Sequence, residues 1–142
     1  MAIPREDFID LIPHAGPMCL VEAVASWDED QLVARSGTHR EQAHPLRRNG
    51  RLAAVHALEY AAQAMAIHGA LLAARAGGEL PPGFLAGARG LQLHVDHLDD
   101  IVADLDITVE RQFVQGGDLI YGFRVTAAEH PLAEGTATVI AR

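Results

Sequence analysis

LAAVHALEYAAQAMAIHGALLAARA, residues 52 to 76, decides the fold. At 3.6 residues per turn, almost every face of this segment is apolar or tiny. A helix of that kind must be covered on most sides, and its alanines let a sheet approach the axis closely. Yet it carries Glu59, with His56 before it and Gln63 after it. These positions fall within about one-sixth of a turn, so they form a polar stripe on an apolar rod. Burying an unpaired carboxylate is costly, so Glu59 either shifts its pKa or finds donors. It can be held by a backbone amide or an arginine, or face a wet cleft. A carboxyl with a raised pKa in a cleft is also what a general acid needs.

Outward from the helix, Asn49 is the expected N-cap, Arg75 lies in the last turn, and Gly77-Gly78 is the stop signal. Before it, MCLVEAVASW (18 to 27) and QLVARSGT (31 to 38) read as a hairpin around DED, and residues 6 to 12 as a short helical turn. After it, ELPPG (79 to 83) breaks the chain. Four strand-like segments follow, 84 to 95, 101 to 113, 118 to 129 and 131 to 142, with QGGD and AEHP as turns. Short connections make neighbouring strands antiparallel. The expected architecture is α+β: an antiparallel sheet of about six strands wrapped around one long central helix, the hotdog fold, in a single domain over residues 1–142. A curled sheet leaves part of the helix and its own edges uncovered. Edge-to-edge pairing of two chains would close both.

The 142 residues suit one domain with a real core. With 49% hydrophobic and 21% charged residues, a soluble globular chain is expected. No apolar run approaches the ~20 residues of a membrane span, and the start lacks a secretory profile. Cys19 is the single cysteine, so no internal disulfide is possible. These features point to a cytoplasmic protein. The formal net charge is -8, and a chain this acidic without a long basic stripe argues against nucleic acid as a partner. One local exception is HREQAHPLRRNGR (39 to 51), with Arg40, Arg47, Arg48 and Arg51. It is either a solvated loop or an anion site, since arginine binds phosphate and carboxylate well. No G-x-S-x-G, P-loop or C-x-x-C pattern occurs, and no cofactor is expected.

Two motifs carry a family resemblance. LIPHAGPMCLVEAV (11 to 24) resembles the LPHRYPFLLVDRV opening of bacterial 3-hydroxyacyl-[acyl-carrier-protein] dehydratases. AVHALEYAAQAM (54 to 65) resembles their GVLIVEALAQAA helix start, with Glu59 and Gln63 in register. HPLRRNGRLAAVHALEYAAQAMAIHGAL is similar to the dehydratase-like subgroup of aryl polyene and related fatty-acid-type gene clusters. The resemblance implies a hotdog dimer, or half of a heterodimer, that converts a 3-hydroxyacyl thioester to a trans-2-enoyl thioester. A histidine from one subunit takes the C2 proton, and an acid on the other's central helix protonates the departing hydroxyl. Glu59 matches that acid. The backbone N–H of Ala54 or Val55 would receive the thioester oxygen as negative charge develops. Gln63 would lie along the acyl channel, and Arg47, Arg48 and Arg51 would meet an acidic acyl carrier protein or its pantetheine phosphate.

The family's histidine aligns with Pro45, and His44 is its neighbour, which makes His44 the first candidate for the base. The glycines and prolines of the family's histidine loop are absent here, which keeps His39 and His56 as alternatives. His14 suits a structural hydrogen bond, and His68 lies on the helix side opposite Glu59. HVDHLDD (94 to 100) has a metal-like composition without a zinc spacing, and no metal is expected there. Two rival functions remain: a non-catalytic hotdog partner that binds acyl chains or completes another dehydratase, and an acyl thioesterase.

Overall fold

The apolar stretch forms α1 (Ala57–Arg75), entered through one 3-10 turn at Ala54–His56. The computed structural model describes residues 2–9, 18–78, 83–115 and 118–141. Seven strands form one antiparallel sheet: β1 (Ile3–Pro4), β2 (Ala23–Trp27), β3 (Gln31–Ser36), β4 (Gly83–Leu93), β5 (Leu105–Gln115), β6 (Asp118–Ala127) and β7 (His130–Ala141). Their order across the sheet is β1-β2-β3-β5-β6-β7-β4. The seventh strand, beyond the six expected, is the two-residue β1, where Ile3 pairs with Val24 and Pro4 with Ala23. A 3-10 turn at Arg5–Asp7 stands where a short helical turn was expected from residue 6. Residues 10–17, including His14, the two turn glycines 116–117 and most of the break at 79–82 lie outside the described residues.

The helix start differs from expectation. Asn49 does not cap it: Asn49 (φ 54°) and Gly50 (φ 76°) both adopt left-handed backbone. They close a two-residue hairpin in which Arg48 N–H donates to Arg51 O (2.8 Å) and Arg51 N–H returns to Arg48 O (3.0 Å). Asn-Gly is the preferred pair for such a turn, and here that preference overrides capping. The stop signal acts as read. Gly77 (φ 81°) follows the helix, Gly77 N–H donates to Ala74 O (3.0 Å) and Gly78 N–H to Ala73 O (2.9 Å), which closes the last turn.

Alternation fills the core. Leu32 and Ala34 of β3, Leu105, Ile107 and Val109 of β5, and Tyr121, Phe123 and Val125 of β6 are buried. Against them lie Tyr60, Ala61, Ala64, Ile67 and His68 of α1, which packs on β3, β5 and β6. The sheet covers only part of the helix. Glu59 is exposed, and Ala62, Ala66, Gly69 and Ala73 on the same stripe are half-buried. The arrangement is the expected hotdog, α+β.

Candidate functional site

Segment 94–100 positions the helix start. Ala54 N–H donates to Asp96 O (2.9 Å), and Leu98 N–H donates to Leu52 O (2.9 Å). The Asp99 carboxylate accepts Leu52 N–H (2.8 Å) and Arg51 Nε–H (2.9 Å). Burial pushes the Asp99 carboxyl up, but the Leu52 amide and the Arg51 guanidinium outweigh it and hold the group below its ordinary value. The residues whose composition suggests metal binding thus clamp α1 in place.

Three consequences follow for the sequence candidates at this helix start. The Ala54 amide is committed to Asp96 O, whereas the Val55 N–H finds no acceptor among the described residues, and the Val55 side chain is 45% exposed. Glu59, in the first turn of α1, is exposed and makes no hydrogen bond or ion pair among the described residues. Gln63 is buried and grips the chain's own backbone, accepting Leu20 N–H (2.8 Å) and donating to Met18 O (2.5 Å). The polar stripe therefore splits. Glu59 faces outward, whereas Gln63 is held by the segment that precedes β2. His56 is half-buried, and its ring has no partner among the described residues.

His44 belongs to a different network. It is buried, and Leu46 N–H donates to its Nδ1 (3.1 Å). Nε2 therefore carries the proton and donates to the Tyr60 hydroxyl (3.0 Å). Thr38 donates to Leu20 O (2.8 Å), so Tyr60 donates to Thr38 Oγ1 (2.7 Å). The Ser36 hydroxyl also donates to Leu20 O (2.5 Å). Burial pushes the Tyr60 phenol well above its ordinary value. Burial first, then the neighbouring Arg47, lowers the His44 imidazole. The ring walls a cavity of about 330 Å³ lined also by Arg5, Cys19, Thr38, Glu41 and Pro45. Within one chain, no hydrogen bond or ion pair joins His44 to Glu59. Tyr60 and Thr38 were not singled out in the sequence. The available signal was a tyrosine in an alanine-rich helix, because a buried phenol needs a partner.

The other candidates are placed as follows. His39 is fully buried, its Nε2–H donates to Ile101 O (2.9 Å), and its Nδ1 has no partner among the described residues. Arg47 folds its guanidinium onto Glu41 O (2.8 Å), Gly50 O (2.7 Å) and His39 O (3.4 Å). Arg51 pairs with Asp99 and, at 3.6 Å, Asp100. Arg48 is exposed, and among the described residues its guanidinium donates only to Arg47 O (3.1 Å), so most of its donors face outward. His68 sits under the sheet, opposite Glu59 as expected, where its Nε2–H donates to Asp28 O (2.8 Å) and Tyr121 donates to Nδ1 (2.8 Å). The helix start thus brings together an open amide, an unpaired carboxylate and a free imidazole. Such groups can orient a carbonyl, deliver a proton and remove one.

Comparison with known proteins agrees with this frame. The model of the ApeP-like family, described as ApeP dehydratase, matches residues 6–142. No curated protein matches the chain. Among solved structures, a chain of the dehydratase heterocomplex ApeI:P from Xenorhabdus doucetiae aligns with TM-score 0.83 at 20% identity, covering 94% of this chain and 90% of that one. AziG from S. sahachiroi aligns with TM-score 0.60 at 16% identity, covering 92% and 97%. A hypothetical thioesterase protein with coenzyme A from Streptococcus pneumoniae TIGR4 aligns with TM-score 0.62 at 12% identity, covering 97% and 96%. At these identities the likenesses show a shared fold.

Proposed function

Because the chain belongs to the ApeP-like dehydratase family, we propose that it converts a 3-hydroxyacyl thioester to a trans-2-enoyl thioester, with Glu59 protonating the departing hydroxyl. The observation that carries this reading is the exposed, unpaired carboxylate in the first turn of an otherwise apolar helix. A structural glutamate would be tied to a donor, as Gln63 and Asp99 are. The Val55 N–H would receive the thioester oxygen, at the positive end of α1. The carrier is an acyl carrier protein, met through the outward donors of Arg48. Such a contact weakens with salt. A second hotdog subunit covers the open stripe of α1, and the reaction is cytoplasmic.

The test is the purified protein with a 3-hydroxyacyl thioester on its carrier. We expect enoyl product from the wild type, and a loss of about 10²- to 10⁴-fold in Glu59→Gln with the fold and assembly intact. A Glu59→Gln protein that turns over normally would exclude Glu59 as the acid. Release of free acid instead of enoyl product would indicate hydrolysis.

A second reading is favoured by the committed His44 ring and by the likeness to one chain of a heterocomplex. In that reading the chain lends Glu59 to a site whose imidazole comes from a different hotdog subunit. Product that forms only after such a subunit is added would select it.

A further inference from the structure

We propose that His44 is a proton-operated latch on the arginine loop: the neutral ring pins residues 41–51 to α1, and a second proton on the ring releases them. The latch is separate from the acid and the amide at the helix start, and its test needs no substrate.

The direction of each bond in the latch is fixed. A backbone N–H can only donate, so the Leu46 amide (3.1 Å) makes Nδ1 the bare nitrogen of the ring. The neutral ring then carries its proton on Nε2 and donates it to the Tyr60 hydroxyl (3.0 Å). The phenol's proton goes to Thr38 Oγ1 (2.7 Å), and the Thr38 proton to Leu20 O (2.8 Å). Each hydroxyl has one proton, and each proton is used. A second proton on the ring can sit only on Nδ1. There it would face Leu46 N–H, donor against donor. The ring must turn away to satisfy it, and the bonds to Leu46 and Tyr60 then break.

The surroundings do not compensate a positive ring. Its own loop presents Arg47 and Glu41, the 3-10 turn Thr38–Arg40 presents His39, and the start of α1 presents His56 and Tyr60. Across the cavity stand Arg5 and Cys19. Burial first, then Arg47, with the His56 and His39 rings whenever they are charged, opposes the second proton. The only carboxylate on the described cavity wall, that of Glu41, belongs to an exposed residue. The sign follows. The folded ring binds its proton less readily than a free one, so the latch holds fully above the ordinary value of about 6.5 and weakens as pH falls below it.

What the latch holds is equally specific. His44 is the only buried residue in the loop 41–51. The loop's far end is tied by Arg51 to Asp99 (2.9 Å). Between these two anchors the Arg47 guanidinium is folded onto Glu41 O, Gly50 O and His39 O. Release at His44 leaves one anchor and frees Arg47 to face outward beside Arg48.

The experiment is hydrogen exchange by NMR on the full chain at pH 7.5 and pH 5.0. Each rate is divided by that of an unstructured peptide at the same pH, so that the ordinary slowing of exchange in acid cancels. In the wild type we expect the protection of the Leu46 amide to fall about 10- to 30-fold on acidification, the gain expected when a ring with an ordinary pKa is set free. The Arg47 Nε–H, held on Glu41 O, should follow, while the Ala64 amide inside α1 keeps its protection. His44→Asn separates the proton from the fold. An asparagine oxygen can accept the amide two residues on, as Nδ1 does, but it does not titrate. Leu46 protection in that variant should be the same at both pH values. Tyr60→Phe removes the acceptor of Nε2–H and should lower Leu46 protection about fivefold already at pH 7.5. Should His44→Asn not fold, the ¹⁵N shift of the wild-type ring serves instead: Nδ1 should take up its proton over the pH range in which Leu46 loses protection. Leu46 protection that is flat in the wild type, that falls equally in His44→Asn, that falls together with Ala64, or that changes in a different pH range from the ring overturns the latch, as does normal protection in Tyr60→Phe.

Discussion

Three imidazoles, of His39, His44 and His68, are buried, and burial pushes each below its ordinary pKa. Carbonyls of Ile101 and Asp28 oppose this at His39 and His68 without cancelling it, and Arg47 adds to it at His44. A group whose folded pKa is depressed binds fewer protons folded than unfolded. Its stabilising contribution is full above the unfolded value of about 6.5 and is lost as pH falls through the folded value. We expect the urea midpoint to fall between pH 7.5 and pH 5.0, with a slope of at most about 1.4 kcal/mol per pH unit for each histidine that stays neutral. In His68→Gln the midpoint at pH 7.5 drops, because the Tyr121 and Asp28 partners are disturbed, while the acid slope flattens. An unchanged slope in that variant would remove His68 from the account. Helical angle alone made His68 legible as a residue opposite Glu59. The commitment of His44 to Tyr60 was not legible, because that bond joins a loop to a helix and no periodicity reports what stands across the gap.

At the scale of elements, the same distinction holds. Gly77-Gly78 ended α1 as read, since a left-handed residue after a helix is a local matter. Asn49-Gly50 was a local signal too, but it belongs to a hairpin turn, and the tight Arg48–Arg51 bridge moved the helix start to Ala54. The AEHP turn shows the cost of non-ideal turn chemistry. Ala128 (φ 49°) and Glu129 (φ 70°) connect β6 to β7 directly, both in left-handed backbone without being glycine or asparagine. Such a conformation costs a residue with a Cβ about 1–2 kcal/mol. Glycine adopts it freely but loses more freedom on folding. Glu129→Gly should therefore stabilise the protein by about 0.5–1 kcal/mol, read as a rise in the urea midpoint at constant slope. A fall in the midpoint would mean that the Glu129 side chain contributes more than its backbone strain removes.

For the whole molecule, the sequence foretold one apolar helix under one sheet because both patterns are periodic. How far around the helix the sheet reaches depends on strand curvature and is not written in any window of residues. The structure answers it: Glu59, Ala62, Ala66, Gly69 and Ala73 stay on the open side. The sheet is closed at one edge by the two-residue β1, while the other edge is the eleven-residue β4, whose Gly87–Gly90 stretch is exposed. A long edge strand and an open apolar stripe each favour association. We expect a second hotdog subunit to pair along β4 and lie over the stripe, which would enclose Glu59 in a channel that the lone chain leaves open to water. Ala66→Arg tests this at the centre of the stripe. The arginine can extend into solvent in the single chain, so circular dichroism and the thermal transition of the monomer should change little. In the assembly its charge would be buried without a partner, a penalty of about 3–5 kcal/mol, which weakens association about 10²- to 10⁴-fold. We expect light scattering at micromolar concentration to read a dimer mass for the wild type and a monomer mass for the variant, and turnover to fall with the loss of the enclosed channel even though Glu59 is untouched. A variant that keeps both dimer mass and activity would place the subunit contact elsewhere and leave the open stripe unexplained by assembly.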